Sequence, residues 1–216
     1  MLSRNAPPIA IGCACRAQLG RISFWWYEIS SQADVSVPWE YVVGARPPSL
    51  IFFGDAAPTV GYGAFCLSRY VYGEWPDAIF GADGRPSPDS VDHEWSTAFL
   101  ELAAALFGLY LFCEGSRDKA DSVLIFCDNE TVVQAWRNRS SPSRRFMNLI
   151  RLFVEHVVRL HIWDVDFMWL PSASNFVADE LSRQGSQVFC LGEFGWHGLT
   201  TRCFVPEDLT ASVCAC

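Results

Sequence analysis

Leu50-Ile51-Phe52-Phe53-Gly54-Asp55-Ala56-Ala57, followed at once by Gly61-Tyr62-Gly63-Ala64-Phe65, is the stretch that decides how this chain folds. It has the pattern of an apolar strand carrying one carboxylate near its end, a turn at Pro58, and a second strand. No basic residue nearby offers Asp55 a partner. A buried or half-buried carboxylate is costly unless it is paired, hydrogen-bonded or bound to metal. Asp55 therefore raises the question of which other acids arrive at the same place.

Working outward, Tyr70 to Trp75 predicts a third strand, so that residues 50–75 form a short antiparallel meander. A loop through Gly81, Gly84, Pro86 and Pro88 leads to a long helix over His93 to Glu114, rich in Ala and Leu and stopped by Gly115. Ser122 to Asp128 is apolar without alternation, as expected of a central strand covered on both faces. Asn129 to Asn138 predicts a short helix. Arg144 to Leu160 predicts another, with Phe146, Leu149, Ile150, Phe153 and Val157 at helical spacing. Ile162 to Leu170 predicts the closing strand, Pro171 to Ser174 a loop and Asn175 to Gln184 a last helix, with no element expected beyond Gly185. The order β-β-β-α-β-α-α-β-α predicts an α/β fold whose mixed sheet carries helices on both faces. Upstream, Pro7-Pro8, Pro38 and Pro47-Pro48 break residues 1–48 into an expected arm or connection. Within it, Ile22-Ser23-Phe24-Trp25-Trp26-Tyr27 is apolar enough to dock on something. The expected organisation is an N-terminal arm over 1–48, one domain over 49–186 and a tail over 187–216.

The 216 residues are 50% hydrophobic and 14% aromatic, enough to bury a full core. A formal charge of -8 and a pI near 4.9 argue against chain-wide affinity for nucleic acid. They leave room for a local basic patch or a metal-bridged substrate. Cysteines number nine, and Cys66, Cys113 and Cys127 sit in apolar runs where a reduced thiol packs as a small hydrophobe. With no secretory signal, the chain is expected in an intracellular, reducing setting. Cys13-Ala14-Cys15 and Cys214-Ala215-Cys216 lack the wider spacing of structural zinc sites. The most apolar run, Thr97 to Cys113, is too short for comfortable spanning and carries Glu101, so it is expected as a core helix with no membrane partner.

Four acids fall on four elements. Asp55 ends the first strand, and Asp128 ends the fourth and begins a crossover, at the strand edge where open α/β sheets place ligands. If those strands are parallel neighbours, the two carboxylates meet. Glu101 lies among Leu100 and Leu102, where solvation cannot account for it, and Glu is almost never fully buried unless paired. Asp179 lies in the first turns of the last helix. Each has an ordinary alternative use: Asp55 as a turn acid, Asp128 as a helix N-cap, Asp179 as a first-turn acid favoured by the helix dipole. Brought together, four like charges repel or take up protons unless cations balance them. Carboxylate oxygens suit Mg2+ or Mn2+, and two such ions activate water and stabilise the leaving oxygen in phosphodiester cleavage. His93, His156 and His161 show no metal-ligand arrangement.

Taken in order, Phe53-Gly54-Asp55-Ala56-Ala57 with Gly61-Tyr62-Gly63-Ala64, Phe99-Leu100-Glu101-Leu102-Ala103-Ala104, Phe126-Cys127-Asp128-Asn129-Glu130-Thr131, and Leu170-Pro171 with Asn175-Phe176-Val177-Ala178-Asp179-Glu180-Leu181-Ser182-Arg183 form a set. This set resembles the ribonuclease H domain of retroelement reverse transcriptases, most closely that of the DIRS-like tyrosine-recombinase retrotransposons, over about residues 49–185. The segment Phe24-Trp25-Trp26 weakly resembles the connection upstream of that domain.

The resemblance implies a ribonuclease H-like three-layer fold. Its five-stranded mixed sheet is antiparallel over the first three strands, with the fourth and fifth parallel and helices on both faces. It implies hydrolysis of the RNA strand of RNA/DNA hybrids with two Mg2+ ions, Mn2+ being a substitute. It assigns the metal-binding and catalytic roles to Asp55, Glu101, Asp128 and Asp179. Glu94, on the same helix face as Glu101, competes for the second role, and the surroundings of Glu101 match better. Candidate substrate contacts are Asn129, Arg137, Arg139, Arg144, Arg145 and Asn175. The arginines, with Arg151, fall in a stretch without acids, to meet phosphates or to face solvent.

Trp136 and Trp169 are expected in the core. The loop Pro171-Ser172-Ala173-Ser174 lacks the histidine that cellular ribonucleases H place before the last acid, which implies slower turnover. With no polymerase signature, the chain is expected to be a fragment, a domesticated copy or one module of a longer product. Its expected partners are an RNA/DNA hybrid or other nucleic acid and, in a larger assembly, a reverse transcriptase polymerase module. The alternative expectation is a catalytically silent nucleic-acid-binding or scaffold module that keeps the fold.

Overall fold

The structure, a computed structural model, describes residues 48–83, 93–114, 120–184 and 201–216. The expected arm up to residue 47, the stretch 187–200 of the expected tail and the side chain of Glu94 lie outside the described residues. The strands are β1 (Leu50–Ala57), β2 (Gly61–Cys66), β3 (Arg69–Glu74), β4 (Ser122–Cys127), β5 (Asp164–Trp169) and β6 (Thr201–Arg202). The helices are α1 (His93–Cys113), α2 (Glu130–Asn138), α3 (Arg144–Arg159), α4 (Phe176–Gln184) and α5 (Glu207–Cys214). A 3-10 segment occupies Asp77–Asp83, where a plain loop is expected from the sequence.

The sheet runs β5-β4-β1-β2-β3-β6. The meander β1-β2-β3 is antiparallel, and β4 joins β1 in parallel with Phe53 opposite Phe126. β5 is parallel to β4. The expected strands and helices are present with ends within two residues of those read from the sequence. The strand count is corrected from five to six, because Thr201 and Arg202 pair in parallel with Arg69 and Tyr70. Two residues carry no periodicity, so such a strand has no sequence signal. What holds it is local: the Thr201 amide donates to the Ser68 carbonyl at 3.0 Å and Cys203 to Tyr70 at 2.7 Å, while the Arg202 guanidinium lies 3.7 Å over the Tyr72 ring. Beyond it, α5 corrects the expectation of no element past Gly185; its 8 residues bury Leu209 and Val213, too few to mark a helical period in the sequence.

Alternation along β1 sorts the two faces of the sheet. Phe52 meets Phe112 of α1 edge-on at 5.5 Å, and a Cβ on Gly108 would sit 2.7 Å from the Phe52 ring, so α1 lies close against this face. Every residue from Ala98 to Leu109 is buried, which is why α1 reads as apolar on all sides. One side of it meets the sheet, and α2 and α3 pack on the others. Trp136 of α2 fills the space toward β5, 5.2 Å from both Phe153 and Phe167, with its indole donating to the Val165 carbonyl at 3.1 Å.

The odd-numbered residues of β1 face the other way. There Phe53 stacks between Phe65 at 4.8 Å and Phe126 at 4.9 Å, and α4 covers the neighbouring part of the sheet. A Cβ on Gly63 would stand 2.5 Å from the Leu181 Cβ, so the absence of a side chain lets α4 lie directly on β2. Among the described residues no helix is long and apolar enough to cross a membrane.

Candidate metal centre at the sheet edge

The register of the parallel β1–β4 pair places the first two acids. Phe53 and Phe126 are opposite and stack on the α4 face, so Asp55 and Asp128, each two residues further on, emerge on that same face as neighbours. Asp55 lies within β1 and only 3% of it is exposed, which removes the turn reading. Asp128 does not cap the following helix. Asn129 does, its side chain accepting the Val132 amide at 3.3 Å, so the Asp128 carboxylate is left to other partners.

Glu101 reaches the same edge from α1 on the opposite face and is 5% exposed. A backbone hydrogen bond from Ala56 and the Cys127 thiol, 3.9 Å from Oε2, are its neighbours. Ligand atoms of Glu101, Cys127 and Asp128 all lie within 4.8 Å of one another. Asp179 comes in on α4, whose start is tied to β1 by Asn175, the side-chain amide of which donates to the Gly54 carbonyl at 2.9 Å. Asn175 is 1% exposed, and its Oδ1 is buried without a hydrogen-bond partner. The Asp179 carboxylate accepts from Arg183 one turn along, at 2.6 Å.

The charges register one another. Burial pushes the Asp55 carboxyl up to about 6, against a hydrogen bond from Ser182 that favours the ionised form; Asp128 and Asp179 add to the rise and Arg183 opposes it. Glu101 is held well above the usual carboxylate range by burial, then by the charges of Asp55 and Asp128. Burial also pushes the Cys127 thiol up, with Glu101 adding to it. Asp55 thus senses Asp128 and Asp179, and Glu101 senses Asp55 and Asp128, so the acids from four elements share one electrostatic neighbourhood.

Several residues of this edge carry no sequence signal. Ser182 donates to Asp55 Oδ2 at 2.5 Å across 127 residues of chain, and Ser172, from the loop between β5 and α4, donates to Asp128 Oδ2. Their partners are visible only in three dimensions. Trp169 departs from the core placement expected of it. It is 48% exposed, and its indole donates to the Asp128 carbonyl at 3.0 Å. Trp136 is in the core as expected, at 1% exposure.

The candidate substrate contacts divide. Arg137, Arg144 and Arg151 are exposed. Arg139 folds over the Trp136 ring at 4.4 Å, and Arg145 covers Phe99 at 4.2 Å while donating to the Ile79 carbonyl. Asn129 is occupied as a helix cap and Asn175 as a tie to β1. Glu101 is the acid of α1 at this edge whose side chain is described.

No protein-family model and no curated protein matches the chain. Among solved structures it is similar to RNase H1 from the halophilic archaeon Halobacterium salinarum NRC-1. The identity is 13% and the TM-score 0.44, over 61% of this chain and 92% of that one. It is also similar to the N-terminal RNase H domain of Rv2228c from Mycobacterium tuberculosis, a fusion with maltose-binding protein. There the identity is 13% and the TM-score 0.41, over 68% of this chain and 99% of that one.

Proposed function

We propose that this domain is a metal-dependent endonuclease of ribonuclease H-like fold that hydrolyses the RNA strand of RNA/DNA hybrids. One observation carries the reading: buried acids from β1 and α1 meet Asp128 at the carboxyl edge of the parallel β1–β4 pair, where burial first, and the neighbouring carboxylates after it, raise the proton affinities of Asp55 and Glu101. The order of motifs along the chain supports a retroelement reverse transcriptase as its origin. The strand order, an antiparallel meander continued by two parallel strands, supports the fold.

The donor set fits hard divalent ions. Carboxylate oxygens suit Mg2+, and Glu101 has hydrogen-bond neighbours but no cation among the described residues to balance it. In this reading Asp55, Glu101, Asp128 and Asp179 hold two Mg2+ ions, which Mn2+ can replace. When bound, the ions supply an activated water and stabilisation of the leaving oxygen.

The chain's own residues prepare the place. Ser182 and Ser172 fix the Asp55 and Asp128 carboxylates, and Asn175 holds the start of α4, and with it Asp179, against β1. Among the described residues, Arg137 and Arg144 are the exposed cations nearest in sequence to the Asp128 turn, and in this reading they serve as phosphate contacts.

A silent scaffold draws support from one feature, the engagement of Asp179 with Arg183. Cleavage of an end-labelled hybrid in Mg2+ separates the two. Wild type is expected to release RNA fragments, and Asp128→Asn to lose at least about 10²-fold in rate, as removal of several kcal/mol of charge stabilisation requires. Equal, negligible cleavage by both proteins contradicts the catalytic reading.

A further inference from the structure

We propose that Cys127 is a fifth donor at this edge, and that through it the Glu101–Cys127–Asp128 group takes a thiophilic divalent ion, Zn2+ or Cd2+, in place of a catalytic one. The inference rests on the metal-centre reading above and adds to it a soft-metal site that the four acids alone would not make.

The placement of the thiol is set by the sheet. Cys127 is the last residue of β4, paired with Trp169 of β5, and its carbonyl accepts the Leu170 amide at 3.1 Å. Alternation turns its side chain to the α1 face, where Glu101 waits, while Asp128 turns to the other. The Asn129 amide donates to the sulfur at 3.4 Å, fixing it further. Sγ stands 3.9 Å from Glu101 Oε2, and Asp128 completes a set within 4.8 Å. A sulfur about 2.3 Å and an oxygen about 2.1 Å from one zinc ion lie about 3.6 Å apart at a tetrahedral angle. A contraction of a few tenths of an ångström therefore closes the thiol and Glu101 on a common ion.

Metal preference follows from the donors. Mg2+ takes oxygen and leaves the thiol protonated and packed, whereas Zn2+ and Cd2+ favour sulfur. As the metal–sulfur bond forms, the S–H bond breaks, its proton passes to solvent, and no electron is transferred. Cys127 is 2% exposed, so a bulky thiol reagent is kept from the sulfur. Trace Zn2+ then acts as an inhibitor that competes with Mg2+ for the centre.

The test is a Cd2+ titration of the full chain and of Cys127→Ser, followed by the ultraviolet thiolate-to-cadmium absorption. Of nine cysteines, the other eight are common to both proteins, so the difference spectrum isolates Cys127. Wild type is expected to show the absorption of one additional thiolate, with that ion bound about tenfold or more tightly than in the variant. Asp128→Asn is expected to lose most of the same increment. Equal absorption in wild type and a folded Cys127→Ser overturns the proposal. Should Cys127→Ser fail to fold, Glu101→Gln keeps the thiol and removes its neighbour; an increment undiminished in that protein also overturns it. Failure of the nuclease reading appears separately, in Mg2+-dependent hybrid cleavage, which the Cd2+ spectrum does not use.

Discussion

Asp55 shows what a single residue contributes and costs. Its carboxyl is pushed up to about 6, chiefly by burial, while an unfolded chain holds it near 3.9. Between those values the folded state binds more protons than the unfolded state, so stability is fully present below about pH 4 and is lost as pH rises through about 6. That rise in proton affinity corresponds to roughly 3 kcal/mol of destabilisation of the metal-free protein at neutral pH. Glu101 acts in the same direction. Asp55→Asn keeps an oxygen for the Ser182 hydroxyl and removes the charge. The metal-free variant is therefore expected to melt several degrees above wild type at pH 7.5, with the difference vanishing toward pH 4. A variant that melts lower than wild type at pH 7.5 in a chelator contradicts this account. The sequence revealed Asp55 as an acid without a partner, since no basic residue lies near it in the chain. The serine that holds it, Ser182, was beyond reach, because nothing in the spacing of two residues so far apart records their contact.

At the scale of elements, periodic apolar patterns made the long pieces legible. The core face of α3 and the unbroken run of β4 led to elements whose ends move by one or two residues in the structure. Elements defined by contact rather than period were not legible, as β6 and the cap at Asn129 show. Gly63 belongs to this second kind. In the sequence it is one more glycine in a strand, yet it is the point where α4 rests on β2. A Cβ there would meet the Ser182 nitrogen at 2.6 Å and the Ala178 oxygen at 2.7 Å, backbone atoms that cannot swing aside. Gly63→Ala is expected to destabilise the fold by roughly 1–3 kcal/mol. It should also weaken metal binding, because Asp179 and Ser182 ride on α4. Urea unfolding and Mn2+ titration of the variant check both parts; native Mn2+ affinity in a destabilised protein would show that α4 does not carry part of the centre.

For the whole molecule, the formal charge of -8 means that the hybrid binding proposed for it would have to come from local cations and bound metal rather than from overall attraction. Arg137 and Arg144 are the exposed candidates, whereas Arg139 and Arg145 lie over aromatic rings. Arg137→Ala and Arg144→Ala are each expected to weaken hybrid binding alike across sequences and to reduce the salt slope by about 1, measured by titration at several salt concentrations. An unchanged slope would assign these arginines to a solvated face. The parallel meeting of the first and fourth strands was legible as a condition for convergence of the acids, and the register of Phe53 with Phe126 meets it. The central claim is that the converging acids form a two-ion centre, and calorimetric titration with Mn2+ tests it most directly. Wild type is expected to take up two ions, with affinity falling about 10- to 100-fold in Asp55→Asn; absence of specific uptake by the folded wild-type protein would contradict it.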